Sequence, residues 1–288
     1  MIFFRRIASA FFFKGASALL RLARWKRGVV YANLRHVSTA VPHEEAGQLY
    51  RRLLSNVSRH AGDLLFGFAT YKKLPADTAS FPCTCDGMEF ALADGAAPVL
   101  EKMRGGGIFL TAHYGNYEAI GPWLCRLGVP LVASYIPVRP AWLNRVLDKK
   151  IRAVDGRSYG VDARTPREFL RLLDEGKLFC LLADQDSRIS SALPGKFLGQ
   201  EARMNPLPDF LLKHRPGTPV YVCWLEEDRN RRILHAEEIP LRTREMSPSL
   251  VIDEFNGWLE SRIAENPALW YGFTHRRFYS VDSSIYQK

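Results

Sequence analysis

From Pro75 onward the chain alternates short apolar runs of strand length with segments whose apolar residues recur at helical spacing. Residues 108–112 form one such run and lead into a helical pattern over 116–127; residues 131–135 form another and lead into a pattern over 141–153. The stretch "TPREFLRLLDEG" (165–176) carries full helix punctuation, with Thr165 as N-cap, Pro166 at the first helical position, Glu168 closing a capping box and Gly176 past the end. "KLFCLLA" (177–183) and "PVYVCWL" (219–225) are further buried runs, and Ser247 and Pro248 open a last long helix to about Ala264. Such alternation predicts an α/β domain: a largely parallel or mixed central sheet flanked by helices. Ligands of these sheets bind beyond the carboxyl ends of the strands, and His113 and Asp184 both follow such ends.

Upstream, "HEEAGQLYRRLLSNVSRHAGDLLFGFA" (43–69) reads as a helix with one buried face, a helical lead-in over 43–75 to a domain spanning 36–288. Residues 1–35 differ in kind. They hold eight basic side chains and no acid, leaving 32 basic against 30 acidic residues in the rest, so the net charge of +10 is almost all N-terminal. Interleaved with those charges are Phe3, Phe4, Phe11, Phe12, Phe13, Leu19, Leu20, Leu22 and Trp25, the mixture expected of a helix lying in an anionic bilayer surface. Lys14 and Arg21 interrupt the roughly 20 apolar residues that spanning requires, which favours an interfacial anchor over a transmembrane segment or a cleaved leader. A basic excess confined to one apolar segment points to a membrane partner and away from nucleic acid. The five cysteines form neither a disulfide framework nor a zinc-knuckle spacing, and no metal or cofactor is expected.

The corner "GGGIFLTAHYGNYEAIGPWLCRLG" (105–128) carries the chemistry. It places His113 in the crevice beyond a strand and Glu118 in the first turn of the following helix. A carboxylate bonded to one ring nitrogen fixes the tautomer and leaves the other nitrogen free to take a proton from a hydroxyl, which makes His113 a general base with Glu118 as its orienting partner. The plainer alternative is a satisfied polar histidine and a glutamate favoured by the helix dipole.

The segment "HYGNYE" resembles the His-four-residues-acid motif of the glycerolipid acyltransferase superfamily, in the form found in bacterial lipid A late acyltransferases (lauroyl and myristoyl transferases). "LLADQD" (181–186), "GKFLGQEA" (195–202) and "ALWYGFTHRRF" (268–278) are similar, in the same order, to further segments of that family. The resemblance implies transfer of a fatty acyl group from acyl carrier protein to a hydroxyl of a lipid A-type glycolipid precursor at the cytoplasmic face of the inner membrane. It also implies substrate-binding roles for Asn116, Arg139, Arg152, Asp184, Asp186 and Arg276, with Asp184 and Asp186 equally able to order the wall of the site or cap backbone groups. Arg277 stands beside Arg276 as a second candidate for phosphate or membrane. Ile136 departs from the family pattern, where arginine often precedes the proline, and Arg139 lies three residues away. That departure keeps open a different lipid acceptor, a lysophospholipid or another glycolipid, with acyl-CoA as donor. A thioesterase or a non-catalytic membrane module is the remaining alternative.

Overall fold

The computed structural model describes residues 2–38, 45–134, 142, 145, 152–161, 165–228, 230–241 and 250–287, with side chains from Phe12 onward. An eight-stranded sheet runs through it in the order β1 (Cys83–Cys85), β2 (Met88–Leu92), β12 (Arg231–Glu238), β11 (Val220–Glu227), β3 (Gly107–Thr111), β8 (Leu178–Leu182), β4 (Leu131–Ser134), β7 (Gly160–Val161), the strands being numbered along the chain. The four strands from β11 through β3 and β8 to β4 are mutually parallel, as are β4 with β7 and β12 with β2. The pairs β11–β12 and β1–β2 are antiparallel, so the sheet is mixed. Two hairpins lie apart from it, β5 (Ala153–Val154) with β6 (Arg157–Ser158) and β9 (Leu193–Phe197) with β10 (Gln200–Met204).

The central strands are apolar without interruption because helices cover both faces. Ile108, Leu110, Phe179, Leu181, Val220 and Val222 point to one side, against α2 (Arg27–His36), α3 (Ala46–Gly62), α7 (Pro166–Asp174), α8 (Leu207–His214) and α9 (Leu250–Glu265). Phe109, Leu178, Tyr221 and Cys223 point to the other, against α4 (Phe68–Tyr71), α5 (Ala96–Met103) and α6 (Ile120–Arg126). The glycines ahead of β3 let it enter this crowded middle. Gly106 and Gly107 have φ of +86° and +131°, and a Cβ on them would meet the carbonyl oxygens of Gly176 at 2.5 Å and Pro219 at 2.7 Å.

The capping box at Thr165 forms as expected, with the Glu168 N–H donating to Thr165 Oγ1 and the Thr165 N–H to Glu168 Oε2. The helix expected over 141–153 lies mostly outside the described residues, and Ala153 belongs to β5. Ser247 and Pro248 also lie outside; the last helix is described from Leu250. Strands β2 and β12 carry no apolar alternation strong enough to announce them. In β12, "RRILHAEE", four of eight residues are full charges, of which Arg231, Glu237 and Glu238 are exposed and Arg232 is buried against Glu227.

The N-terminal segment divides in two. Helix α1 (Ile2–Leu22) lies along α3, with Phe12 edge-on to Phe66 at 5.8 Å, and Arg21 donates to Ser55 Oγ at 2.7 Å. Helix α2 belongs to the core: Val30 and Asn33 are fully buried, and the Asn33 amide donates to the carbonyls of Phe273 and His275. No helix among the described residues is long and apolar enough to cross a membrane.

Candidate active site

Strands β3 and β8 are parallel neighbours in which Thr111 is paired with Leu182. Two residues beyond that pair on each strand come His113 and Asp184, so the register sets them side by side at the carboxyl edge of the sheet. The small, buried Ala112 and Ala183 between them let the strand ends stay close, and the Ala183 N–H still donates to the Thr111 carbonyl at 3.0 Å. His113 Nδ1 lies 2.8 Å from Asp184 Oδ1, and the His113 backbone N–H donates to Oδ2 of the same carboxylate at 3.1 Å. Trp270 Nε1–H donates to that Oδ2 at 2.9 Å. With Nδ1 protonated toward Asp184, the lone pair is on Nε2.

Trp270 arrives from far along the chain. Residues 269–271 run along the corner as an added strand: the Gly115 N–H donates to the Leu269 carbonyl at 2.9 Å, the Tyr271 N–H to the His113 carbonyl at 2.7 Å, and Tyr114 bridges Trp270. The corner is therefore clamped from two sides, by Asp184 through the ring and by the C-terminal segment through the backbone.

Asp184 is 1% exposed and the His113 side chain 16%, so the carboxylate is sealed and the imidazole is its face toward solvent. Burial opposes charge on His113, but the Asp184 carboxylate, through its charge and hydrogen bond, and then Glu118 outweigh it and raise the histidine pKa above 6.5. Burial likewise raises Asp184, yet His113 and the N–H donors prevail and hold its carboxyl below the usual range. Gln185 Nε2 stands 3.4 Å from His113 Nε2, and the rings of Tyr117 and His275 lie 5.0 and 5.6 Å from the imidazole.

A buried carboxylate bonded to Nδ1, with Nε2 on the other side of the ring beside Gln185, is an arrangement chemically able to take a proton from a hydroxyl. The family model for bacterial lipid A biosynthesis acyltransferases matches residues 7–280, nearly the whole chain. The chain belongs to that family. It is therefore an acyltransferase. Among curated proteins none matches the sequence.

On this lipid A acyltransferase the sequence-based site residues separate. Glu118 is not the hydrogen-bond partner of Nδ1; Asp184 is. The corner opens as a 3-10 turn, Tyr117–Ala119, before α6, and places Glu118 within electrostatic reach of His113 while the strand register delivers Asp184 into contact. Burial raises the Glu118 carboxyl, and Arg152 and His113 pull it partly back. Arg152 is thus within electrostatic reach of Glu118.

Asn116 is turned inward, away from the solvent side of the corner. It is 1% exposed, and its amide donates to Asp63 and Glu227, because the turn after Gly115 directs it inward beneath the corner. Asp186 is bonded to the C-terminal segment: its Oδ2 accepts from the Ser280 N–H at 3.2 Å and the Ser280 hydroxyl at 2.7 Å, with Arg188 Nε at 3.5 Å. Arg276 is exposed, its guanidinium 5.5 Å from the Tyr279 ring centre. Arg277 is the reverse: 1% exposed, it donates to the Arg203 carbonyl at 3.1 Å and lies over Phe197 at 5.0 Å, and burial pushes its pKa down to about 10. Arg277 is a fold residue. Arg139 and Ile136 lie outside the described residues. The corner backbone is also less available as an oxyanion donor than its position suggests, since the N–H groups of His113, Tyr114, Gly115 and Ala119 all donate internally. Among the described residues no group of three His, Cys, Asp or Glu side chains is placed to hold a metal ion.

Two residues escaped the sequence reading. Trp270 sits in the segment that carried the family resemblance, but nothing local shows its indole N–H reaching Asp184. His275 lies in the same segment, and its only signal is its place beside Arg276.

Proposed function

We propose that the chain moves a fatty acyl group from the thioester of acyl carrier protein to a hydroxyl of a lipid A-type glycolipid, with His113 as general base held by Asp184. The 2.8 Å contact between His113 Nδ1 and the sealed Asp184 carboxylate carries this reading, because it leaves Nε2, beside Gln185, as the ring nitrogen that can accept a proton. Nε2 takes the proton of the acceptor hydroxyl as its oxygen attacks the thioester carbonyl carbon. The resulting tetrahedral oxyanion collapses, the carbon–sulfur bond breaks, and the departing thiolate receives the proton from the imidazolium, restoring neutral His113. A thiol pKa of about 8.5 makes this leaving group tolerable near neutral pH.

Asp184 stabilises the imidazolium in passing, and Glu118 with Arg152 sets the potential of the crevice from the other side. With four corner N–H groups committed, the amide of Gln185 and the guanidinium of Arg152 are the side chains we assign to the oxyanion. A single such donor is typically worth about 2.7–4 kcal/mol of barrier. The acceptor lipid resides in a membrane, so the basic, apolar α1 is assigned to the bilayer surface and the enzyme to the cytoplasmic face of the inner membrane, where the carrier protein is at hand.

The test is a purified transfer assay with acyl carrier protein thioester and a lipid A precursor. Asp184→Asn is expected to slow transfer by about 100-fold with the melting temperature of the folded protein still measurable. A rate within about threefold of wild type removes the Asp184–His113 pair from the mechanism.

A further inference from the structure

A second histidine stands at the catalytic corner with its ring uncommitted. The imidazole of His275 lies 5.6 Å from that of His113, centre to centre, and is tilted from it by 41°. The residue is exposed, and among the described residues neither of its ring nitrogens has a hydrogen-bond partner.

Its main chain is the reverse. The His275 N–H donates to the Gly272 carbonyl at 2.9 Å, while the His275 carbonyl accepts from the Arg277 N–H at 2.9 Å and from the buried Asn33 amide at 2.7 Å. That amide also donates to the Phe273 carbonyl at 2.9 Å, and its oxygen accepts from the Tyr286 hydroxyl at 2.7 Å. Four residues upstream, the Tyr271 N–H is bonded to the His113 carbonyl itself. The backbone is thus pinned relative to His113 while the ring bonds nothing in the protein, which is how a side chain is preorganised for a ligand.

The surroundings also give the two rings different charge. Desolvation on the side of the corner lowers the His275 pKa below 6.5, the charge of His113 lowers it further, Asp184 opposes this and Lys26 adds to it. His275 is therefore a neutral imidazole at neutral pH, with one nitrogen carrying a proton to donate. It stays neutral when His113 becomes charged.

Position indicates which reactant it meets. His275 is held from α2, on one face of the sheet, whereas Glu118 leads into α6, on the other. Lys26, the N-cap of α2, joins it to α1 and is within electrostatic reach of His275. The helix assigned above to the bilayer surface therefore ends within reach of this ring, on the path of an acceptor drawn from that bilayer. One oxygen at hydrogen-bond distance, about 2.7–3.2 Å, from a nitrogen of each ring fits a separation of this size.

We propose that His275 is a second catalytic residue that binds the acceptor hydroxyl: its N–H donates to the hydroxyl oxygen and turns the hydroxyl proton toward His113 Nε2. The proposal rests on the acyl-transfer reading above. The hydroxyl proton passes to His113, the oxygen forms its bond to the thioester carbon, and His275 keeps its own proton throughout.

Transfer is measured on the full chain with acyl carrier protein thioester and a detergent-dispersed lipid A precursor, each varied in turn. His275→Ala is expected to raise KM for the precursor about tenfold, the size of one lost hydrogen bond, and to leave KM for the thioester and the melting temperature those of wild type. His275→Gln, which keeps a side-chain N–H donor, is expected to recover most of that loss. Binding of the precursor to His113→Ala and to the double variant His113→Ala, His275→Ala reads the same contact without turnover, and the double variant is expected to bind about tenfold more weakly. An unchanged KM for the precursor in His275→Ala overturns the proposal, as does a loss shared by both substrates, a loss that His275→Gln leaves in place, or equal binding by the two His113→Ala proteins. Turnover that survives in His113→Ala would remove the base, and the binding comparison would still decide for or against His275.

Discussion

Three residues apart on the same corner, His113 and Asn116 each reach into a cluster of buried carboxylate, and the two clusters have opposite fates. At His113 one carboxylate, Asp184, accepts from the ring, from a backbone N–H and from Trp270, and every one of these bonds aims the imidazole outward. At Asn116 two carboxylates, Asp63 and Glu227, share one amide and the single guanidinium of Arg232. Burial raises the pKa of both acids, and Arg232 only partly offsets it. In that second cluster the Asn116 amide nitrogen and the two carboxylates are tied to one another, while the amide oxygen is buried without a hydrogen-bond partner. The cluster holds the corner down: α3 passes into a π-helical turn at Asp63–Gly67, and a Cβ on Gly67 would fall 1.9 Å from Asp63 Oδ1, so the turn closes tightly around the carboxylate that Asn116 binds. Similar residue types thus orient a half-buried histidine ring in one place and tie a buried amide to two carboxylates in the other.

The contrast breaks most visibly at His113. His113→Ala is expected to lower kcat by about 10²–10⁴-fold while vesicle binding and the thermal melt remain those of wild type. Turnover within about fivefold of wild type in the purified assay would mean that the base lies elsewhere. Next in size is Asn116→Leu, which strands Asp63 and Glu227 without their shared donor. Its expected cost is about 1–3 kcal/mol of stability in a denaturant melt, with the folded fraction retaining most of its kcat. A stable variant with collapsed kcat would put Asn116 in the reaction and erase the distinction between the clusters.

Glu118→Gln gives the smallest and sharpest effect. A negative charge favours the imidazolium, so its removal lowers the His113 pKa and frees the base at lower pH. The acid limb of kcat/KM, which for wild type falls off through a pKa above 6.5, is expected to move to lower pH, with less than about a tenfold loss at the plateau. A limb that stays in place, or a loss as large as that of Asp184→Asn, would restore Glu118 as the residue that orients the ring.

Much of the frame was legible because its causes are local. The capping box at Thr165 involves residues three apart, the apolar runs at β3, β8 and β11 report burial on both faces, and the glycine triplet marks a tight entry. The antiparallel β12 and its neighbour β2 were not legible, since their charged and half-buried residues resemble a surface loop until a neighbour supplies the pairing. Helix α2 was misjudged for a related reason: Arg27 and Arg35 advertise a basic surface, while Asn33 is buried because the C-terminal segment offers it two carbonyls.

The site divides along the same line. The sequence by itself determined that a histidine would stand at the carboxyl end of a central strand with acids nearby, because strand propensity, the turn after it and the residue types are written within a dozen positions. Which acid holds the histidine was decided by tertiary structure alone. Asp184 meets His113 because β8 lies beside β3 with Thr111 opposite Leu182, and a shift of one residue in that register would turn the carboxylate to the other face of the sheet. Register comes from the packing of both sheet faces together, and Trp270 can complete the carboxylate's bonds only after the chain has returned to the corner from its far end.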